Sequence, residues 1–381
     1  MMERLHVEVA NLSIAKHGEE LCGDRVEIAR NGGGVTVVLS DGLGSGVKAN
    51  ILATLTTTIA SSMLRGGAAI EDVVDTIGHT LPICKVRQVA YSTFTILQVD
   101  SDGDAYLVQF DNPDAFYVSD GRVGCVDCVQ RRVADKVVKE ARFRVRAGDH
   151  LFLVSDGIIH AGIGGVLNLG WGWPSVADYI RRITQQEKRA SVLAKWMINV
   201  CDQFYGGRPG DDATCVAVTV REPRYVTAAV GPPRDPEDDP QMVARLMGSP
   251  GTRVVCGGTT GKIVARETGE SLSVDLASMA QGVPPTATIR GLDLVTEGII
   301  TLSKAVRKLA NPEEAHGKDG ASRLARVLLD ADHVELLVGK AVNPAHQNPN
   351  LPISVTLKEQ VMQDIARILA ELGKEVQVTY Y

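Results

Sequence analysis

The sequence lacks both a long apolar run and a leader-like start. No stretch reaches the roughly 18 consecutive apolar residues that a membrane-spanning helix needs. The most apolar helical segment, Ile51 to Leu64, is interrupted by threonine and serine residues and is followed by Arg65. The first residues, Met1 to Ile14, alternate apolar and polar side chains and have no continuous apolar core. We therefore expect neither a membrane span nor a secretory signal.

The sequence also has no excess of positive charge and no even number of cysteines. Lys and Arg number 40 against 46 Asp and Glu, which gives a net charge of −6. A surface that follows nucleic-acid phosphates needs a basic excess, so nucleic acid is not an expected partner. The seven cysteines are an odd number scattered along 381 residues. This pattern is typical of a protein in the reducing cytoplasm and does not indicate a disulfide framework.

Strand-like and helix-like runs follow one another irregularly in the first 221 residues. Two short apolar runs, Val35–Leu39 and Leu151–Val154, are typical of buried strands, and Asp-Gly pairs between other runs indicate hairpins. Helices are predicted at Val47–Leu64, Ala69–Thr80, Asp178–Gln186 and Ala190–Gln203. This order is not a regular βαβ alternation. It predicts an α+β fold in which helices pack on two antiparallel sheets.

A change in composition marks a second region. The segment Val230–Pro240 is rich in proline and acidic residues, which predicts a linker over residues 222–250. The sequence is thus divided into a first domain at 1–221 and a small α/β domain at 251–381. The small domain is expected to regulate the first one or to bind a ligand.

The small domain contains a glycine-rich segment, Gly257–Lys262, between a predicted strand and a predicted helix. Such a segment can hold an anion with backbone amides and a helix N-terminus, which makes a small ligand possible here. Its glycine spacing differs from that of a Walker loop. The alternative is a tight strand-to-helix turn without a ligand.

Four aspartates lie at turns or strand ends in the first domain: Asp24, Asp41, Asp156 and Asp211. Any one of them has a simple explanation, because Asp and Gly dominate turns for backbone reasons. Their repetition after apolar strands favours a shared cleft. Carboxylates that meet in a cleft repel one another unless a cation neutralises them, and such oxygen ligands suit Mg²⁺ or Mn²⁺.

The motifs around these aspartates resemble the ordered motifs of the metal-dependent protein phosphatases. They are Gly23-Asp24, Ser-Asp-Gly-Leu-Gly-Ser-Gly at 40–46, Ser-Asp-Gly at 155–157 and Gly-Asp-Asp-Ala-Thr at 210–214. The resemblance covers residues 5–220. It is strongest to the bacterial branch of the stage II sporulation protein E phosphatase and the stress-response phosphatases. It implies a β-sandwich of two antiparallel sheets flanked by helices.

The resemblance also implies a site with two divalent ions, Mn²⁺ or Mg²⁺, that activates water for attack on phosphorus. Carried over by position, Asp41 would bridge both ions and the Gly42 carbonyl would bind one of them. Asp156 and Asp211 would bind the other ion, and Asp24 would help to hold the first. Asp41, Asp156 and Asp211 are the expected catalytic residues.

The implied activity is removal of phosphate from serine or threonine of a phosphorylated protein. The resemblance points to a bacterial regulator of the anti-sigma-factor-antagonist type as substrate. The alternative is a non-catalytic signalling scaffold that binds a partner through the same fold. One departure concerns substrate recognition, because Asp111-Asn112-Pro113 stands where members of this branch often have a Gly-His-Pro-like turn.

Two further signals have competing interpretations. Cys125 and Cys128 form a CxxC pair, which indicates either hairpin cysteines or, with two further ligands, a metal site. His160 follows Asp156 closely and either lines the cleft or is a neighbour without a role in catalysis.

Overall fold

A computed structural model of the protein describes residues 4–31, 33–80, 92–133, 136–280, 282–341 and 357–381. The chain separates into two compact units, Met1–Glu222 and Pro223–Tyr381. Across the described ranges, no helix combines the length and the apolar character that crossing a membrane would need.

The first unit contains two antiparallel sheets. One consists, in spatial order, of β2 (Asp24–Asn31), β3 (Gly34–Asp41), β4 (Phe94–Val99), β5 (Asp104–Phe110), β9 (Lys136–Arg144) and β8 (Val129–Val133). The other consists of β1 (His6–Ile14), β11 (Ala213–Arg221), β10 (His150–Val154), β6 (Phe116–Ser119) and β7 (Arg122–Cys125).

The two sheets share a core between their facing sides. Val37 and Leu39 of β3 pack in the same buried cluster as Leu151 and Leu153 of β10. The intervening Val38 points to the opposite side and packs with the helices there. Because successive side chains of a strand alternate between faces, a strand covered on both sides needs an unbroken apolar run. This explains why Leu151–Val154 is wholly apolar and why Val35–Leu39 has Thr36 as its only polar residue.

Helices cover the outer faces of both sheets. The first sheet carries α1 (Gly46–Arg65) and α2 (Ile70–Thr80), and the second carries α4 (Trp173–Gln186) and α5 (Ala190–Phe204). A short α3 (Asp156–Ile159) follows β10. The predicted antiparallel sandwich flanked by helices is therefore confirmed. Helix α4 begins before the expected Asp178, because Pro174 lies in its first turn, where a missing amide costs nothing.

The second unit is a mixed sheet with helices on both faces. Its strands, in spatial order, are β14 (Ser273–Asp275), β15 (Thr286–Thr288), β16 (Leu294–Thr296), β13 (Thr252–Cys256), β12 (Tyr225–Val230), β17 (His333–Val338) and β18 (Glu375–Tyr380). The five from β16 to β18 run parallel. One face packs α8 (Ile299–Ala310), α9 (Gly320–Asp330) and α10 (Leu357–Glu371), and the other packs α6 (Asp239–Gly248) and α7 (Gly258–Thr268). The predicted α/β character of this region is confirmed.

The predicted linker over residues 222–250 is wrong. Strand β12 pairs with β13 on one side and β17 on the other, so it lies in the middle of the parallel sheet. The prolines did not prevent structure, because Pro240 lies in the first turn of α6, where proline is tolerated. The acidic residues are also compatible with a folded segment, since buried Asp239 accepts a hydrogen bond from Arg266 Nη2 at 2.6 Å.

This correction predicts where the second unit can be cut. A fragment of residues 223–381 should fold, whereas residues 251–381 should not, because the shorter piece loses the central strand β12. The measurement is circular dichroism with thermal melting on both fragments. A cooperative transition in the 251–381 fragment, equal to that of 223–381, would contradict the topology.

Candidate functional site

Two of the predicted site residues are direct neighbours in the first sheet. Asp24 begins β2, Asp41 ends β3, and the two are register partners in the antiparallel pair. Directly opposed residues on antiparallel strands point to the same face, with Cβ atoms about 5 Å apart. Two carboxylates are therefore held side by side by backbone pairing alone.

The other acidic residues come from adjoining ends of two strands in the second sheet. Ser155 and Asp156 follow β10, and Asp211 and Asp212 precede β11. These ends are tied together at Thr214, whose amide donates to Ser155 Oγ at 2.9 Å and whose carbonyl accepts from the Ser155 amide at 3.1 Å. The register of β10 and β11 thus positions the second group of carboxylates.

Close backbone approaches at two glycines shape the site. A Cβ on Gly42 would stand 2.0 Å from the carbonyl oxygen of Ala49 in α1, and one on Gly157 would stand 2.0 Å from that of Asp212. Neither position can accept a side chain without moving the backbone. The Asp-Gly pairs therefore have a packing role: Gly42 brings α1 against the end of β3, and Gly157 brings the Asp156 turn against Asp212.

The electrostatics show that both groups of carboxylates share one site. Burial, followed by the negative charges of Asp24, Asp156, Asp211 and Asp212 in that order of effect, raises the pKa of Asp41 to about 9. All four predicted aspartates are therefore brought together.

Asp24 is the most deeply buried of the four, at 5% exposure. Burial raises its pKa to about 7, with the Asp212 and Asp156 charges adding to this effect and nearby hydroxyls of Ser155 and Thr214 opposing it. Burial, followed by the charge of Asp156, also raises the pKa of Asp211. These carboxyl groups hold protons more tightly than free aspartates because burial and the neighbouring carboxylates disfavour the charged form.

Unpartnered oxygen atoms support a cation at this position. Both carboxylate oxygens of Asp24, and Oδ2 of Asp212, are buried without a hydrogen-bond partner. The nearby hydroxyl of Thr214 is engaged elsewhere, since it donates to Ser13 Oγ at 2.8 Å. An ionised carboxylate can only accept, so a hard cation is the partner that fits such atoms. Among the described residues no three acidic, histidine or cysteine side chains already converge as ligands, so binding would require side-chain rotation within the cluster.

Asp212 is a site residue that sequence reasoning missed. It is 4% exposed, whereas Asp211 is only partly buried. Its Oδ1 accepts from the Lys16 amide at 3.0 Å, and its Oδ2 would be 2.7 Å from a Cβ on Gly23. Asp212 thus fixes the loop that leads into Asp24. The doubled acid in Gly-Asp-Asp was the available signal.

Two weaker sequence signals, His160 and the Asp111-Asn112-Pro113 turn, lie near the acidic cluster. His160 Nδ1 is 3.9 Å from Asp156 Oδ2, and both side chains are about half exposed. Asn112 accepts a hydrogen bond from Thr93, whose amide donates to the Asp41 carbonyl at 2.9 Å. The Asp111-Asn112-Pro113 turn, which departs from the family pattern, is therefore linked to Asp41 through hydrogen bonds of Thr93.

The CxxC pair lies outside the acidic cluster. Cys125 is exposed at the end of β7, and Cys128 is partly buried. Within the described part of the chain, no group of three potential ligands includes them.

Comparison with known families gives one match over the acidic site. A family model described as Stage II sporulation protein E (SpoIIE) matches residues 31–221, which is half of the chain. The search of curated proteins found no match.

Similar solved structures include two from SpoIIE of Bacillus subtilis. Its phosphatase domain is 19% identical with a TM-score of 0.44, covering 58% of this chain and 95% of that one. A PP2C phosphatase domain with a fragment of the regulatory domain is 21% identical with a TM-score of 0.49, covering 57% and 64%. The RsbU and RsbW domains of a Mycobacterium tuberculosis protein are 16% identical with a TM-score of 0.49, covering 64% and 68%.

The acidic cluster predicts a pH-dependent stability of the metal-free protein. Because the pKa of Asp41 is higher in the folded than in the unfolded state, folding loses stability as pH rises from 3.8 towards about 9. Asp41→Asn removes this penalty. It should therefore raise the melting temperature in EDTA at pH 8, and the gain should shrink at pH 5.

Differential scanning calorimetry at both pH values tests this, with Asp102→Asn in an exposed hairpin turn as the matched control. A melting temperature for Asp41→Asn that falls at pH 8 would show that the carboxylate is stabilising and would contradict the account.

Proposed function

Because the chain belongs to the SpoIIE family of PP2C-type protein phosphatases, we propose that its first unit hydrolyses phosphoserine or phosphothreonine in a partner protein with two divalent cations. The observation that carries this proposal is the buried acidic cluster, in which Asp24 has two oxygen atoms without a partner. Burying such a group costs several kcal/mol unless a charge compensates it. A cation site is the simplest reason for a fold to retain it.

The proposed ligands come from both sheets. Asp41 would contact both cations, the carbonyl of Gly42 and Asp24 would serve one, and Asp156 and Asp211 would serve the other. Bound there, Mn²⁺ or Mg²⁺ would activate water and neutralise charge on the phosphoryl oxygens. Asp212 is proposed as a positioning residue, because it holds the Lys16 amide and packs on Gly23.

The chain's own residues contribute orientation. Asp41 is held from three sides: β2 pairs with it, the Thr93 amide donates to its carbonyl, and the Ser92 hydroxyl donates to the same oxygen at 3.1 Å. These contacts fix the backbone of Asp41 at the end of β3, so only its side chain has to rotate when the site binds cations. A fixed backbone limits the reorganisation that binding and reaction require.

The partner is proposed to be a phosphorylated regulator of the anti-sigma-factor-antagonist type. This proposal follows from the motif resemblance and from membership of the SpoIIE family. The alternative, a scaffold without turnover, has no need of the unpartnered buried carboxylates, which would only lower its stability. That contrast favours an enzyme.

Hydrolysis of p-nitrophenyl phosphate by the full chain tests the proposal. Activity should require added Mn²⁺ or Mg²⁺, disappear with EDTA, and return when metal is restored. Asp41→Asn and Asp156→Asn should each lower kcat by about 100-fold or more, because Asp41 would contact both cations and Asp156 would be a ligand of one of them.

Cys125→Ser, in the exposed hairpin, is the control and should retain wild-type activity. Unchanged turnover after complete metal removal would exclude the proposed mechanism. A folded, Mn²⁺-binding chain without turnover on the ester or on phosphoprotein would instead favour the scaffold.

A further inference from the structure

The second unit contains a cavity of about 970 Å³ at the carboxyl ends of its parallel strands. Among its lining residues are Val230 at the end of β12, Cys256 at the end of β13 and Thr296 at the end of β16. The strand order reverses at β12, since β13 and β16 lie to one side and β17 and β18 to the other. In open parallel sheets, ligands bind in the crevice outside the strand ends at such a reversal. The volume suits a ligand of nucleotide size.

One wall of the cavity is the N-terminus of α7. The turn before it depends on Gly257, whose φ of 124° is open to glycine and strained for other residues. Because the N-cap residue Gly257 has no side chain, no side-chain hydrogen bond caps the helix, and the first turn of α7 contains no acidic residue. The amides at the start of this 11-residue helix therefore present partial positive charge to the cavity.

An unpartnered hydroxyl lies at the same place. Thr260 lines the cavity and is 0% exposed, and its Oγ1 has no hydrogen-bond partner among the described residues. A Cβ on Gly257 would be 3.1 Å from this oxygen, so the hydroxyl faces the turn before α7. A buried hydroxyl without a partner is costly, and a ligand oxygen at the helix N-terminus would satisfy it.

Positive charge flanks the cavity. Lys262 lines it from α7 with an exposed side chain. Lys358 lines it from α10, and its Nζ donates to the carbonyls of Gly339 and Ala341, the latter at 3.0 Å. A Cβ on Gly231 would be 2.8 Å from Lys358 Nζ, which places this ammonium group at the strand reversal. These features favour an anionic ligand.

The remaining lining residues include one carboxylate and a group of apolar side chains. Glu297 Oε2 accepts from the Gly298 amide at 3.0 Å, and its Oε1 would be 3.2 Å from a Cβ on Gly258. A carboxylate beside an anion site is suited to accept hydrogen bonds from sugar hydroxyls. Leu272, Pro284 and Pro285 give the cavity an apolar side that can pack against a base.

We propose that this cavity binds a phosphate-bearing small molecule of the nucleotide class. The phosphate binds at the N-terminus of α7 with Thr260, the sugar hydroxyls bind at Glu297, and the base packs on the apolar side. This site is separate from the acidic cluster and does not depend on its activity.

Isothermal titration calorimetry on the full chain in EDTA tests the site, with ADP, GDP, adenosine and inorganic phosphate as probes. At least one nucleotide should bind at least about tenfold more tightly than adenosine or phosphate, because only the nucleotide fills both ends of the cavity. Thr260→Val should weaken its binding by about tenfold, the usual value of a lost hydrogen bond to a charged group. Thr301→Val is the matched control, since Thr301 is equally buried and unpartnered but lies outside the cavity lining.

Glu297→Gln, at an exposed position, separates the parts of the ligand even if Thr260→Val fails to fold. It should weaken nucleotide binding severalfold and leave phosphate binding unchanged or tighter. Asp41→Asn should bind nucleotide as the wild type does, which excludes the acidic cluster as the binding place. The proposal is overturned if neither nucleotide binds, if phosphate binds as tightly as the nucleotides, or if Glu297→Gln leaves nucleotide affinity unchanged.

Discussion

The mutual repulsion of carboxylates at the ends of two sheets is the constraint on which the first unit depends. Backbone register holds Asp24 opposite Asp41, and the pairing of β10 with β11 holds Asp156 near Asp211. The strand pairing fixes the backbone positions of these residues, and burial together with neighbouring charge raises the pKa of Asp41 to about 9. A double sheet with helices on both outer faces can hold such an arrangement, which the proposed cations would compensate.

The sequence was most informative where one physical requirement dominates. Both faces of Val35–Leu39 are covered, which explains why Thr36 is its only polar residue, and the Ser-Asp-Gly endings pointed to the candidate site. Strand β2 is not among the predicted elements, although Val26 and Ile28 alternate with charged residues in the pattern of a half-buried strand. Asp212 was missed because its role depends on contacts with Lys16 and Gly23, which are distant in the chain. The doubled acid of Gly210-Asp211-Asp212 was a local signal, but it does not show which of the two acids makes these contacts.

The linker error has a related cause. The linker prediction treats proline and acidic residues as incompatible with regular structure. Proline is, however, compatible with a first helical turn, and a buried acid can be paired, as Asp239 is with Arg266. Strand β12 is the middle one of the five parallel strands of the second unit, and its parallel neighbours create the strand reversal where the cavity lies. The proposed nucleotide site thus depends on a segment whose composition suggested a connection between domains. Each unit has its own core and its own candidate site.

Proton release on Mn²⁺ binding tests the central claim most directly, because it reports on the acidic cluster before any substrate is added. The measurement is calorimetry at pH 7 in two buffers of different ionisation enthalpy. With the pKa of Asp24 raised to about 7 and that of Asp41 to about 9 in the metal-free protein, Mn²⁺ should displace protons from the cluster. The predicted result is buffer-dependent heat corresponding to at least about one proton per chain. Tight Mn²⁺ binding with no proton release, or no binding at all, would contradict the account.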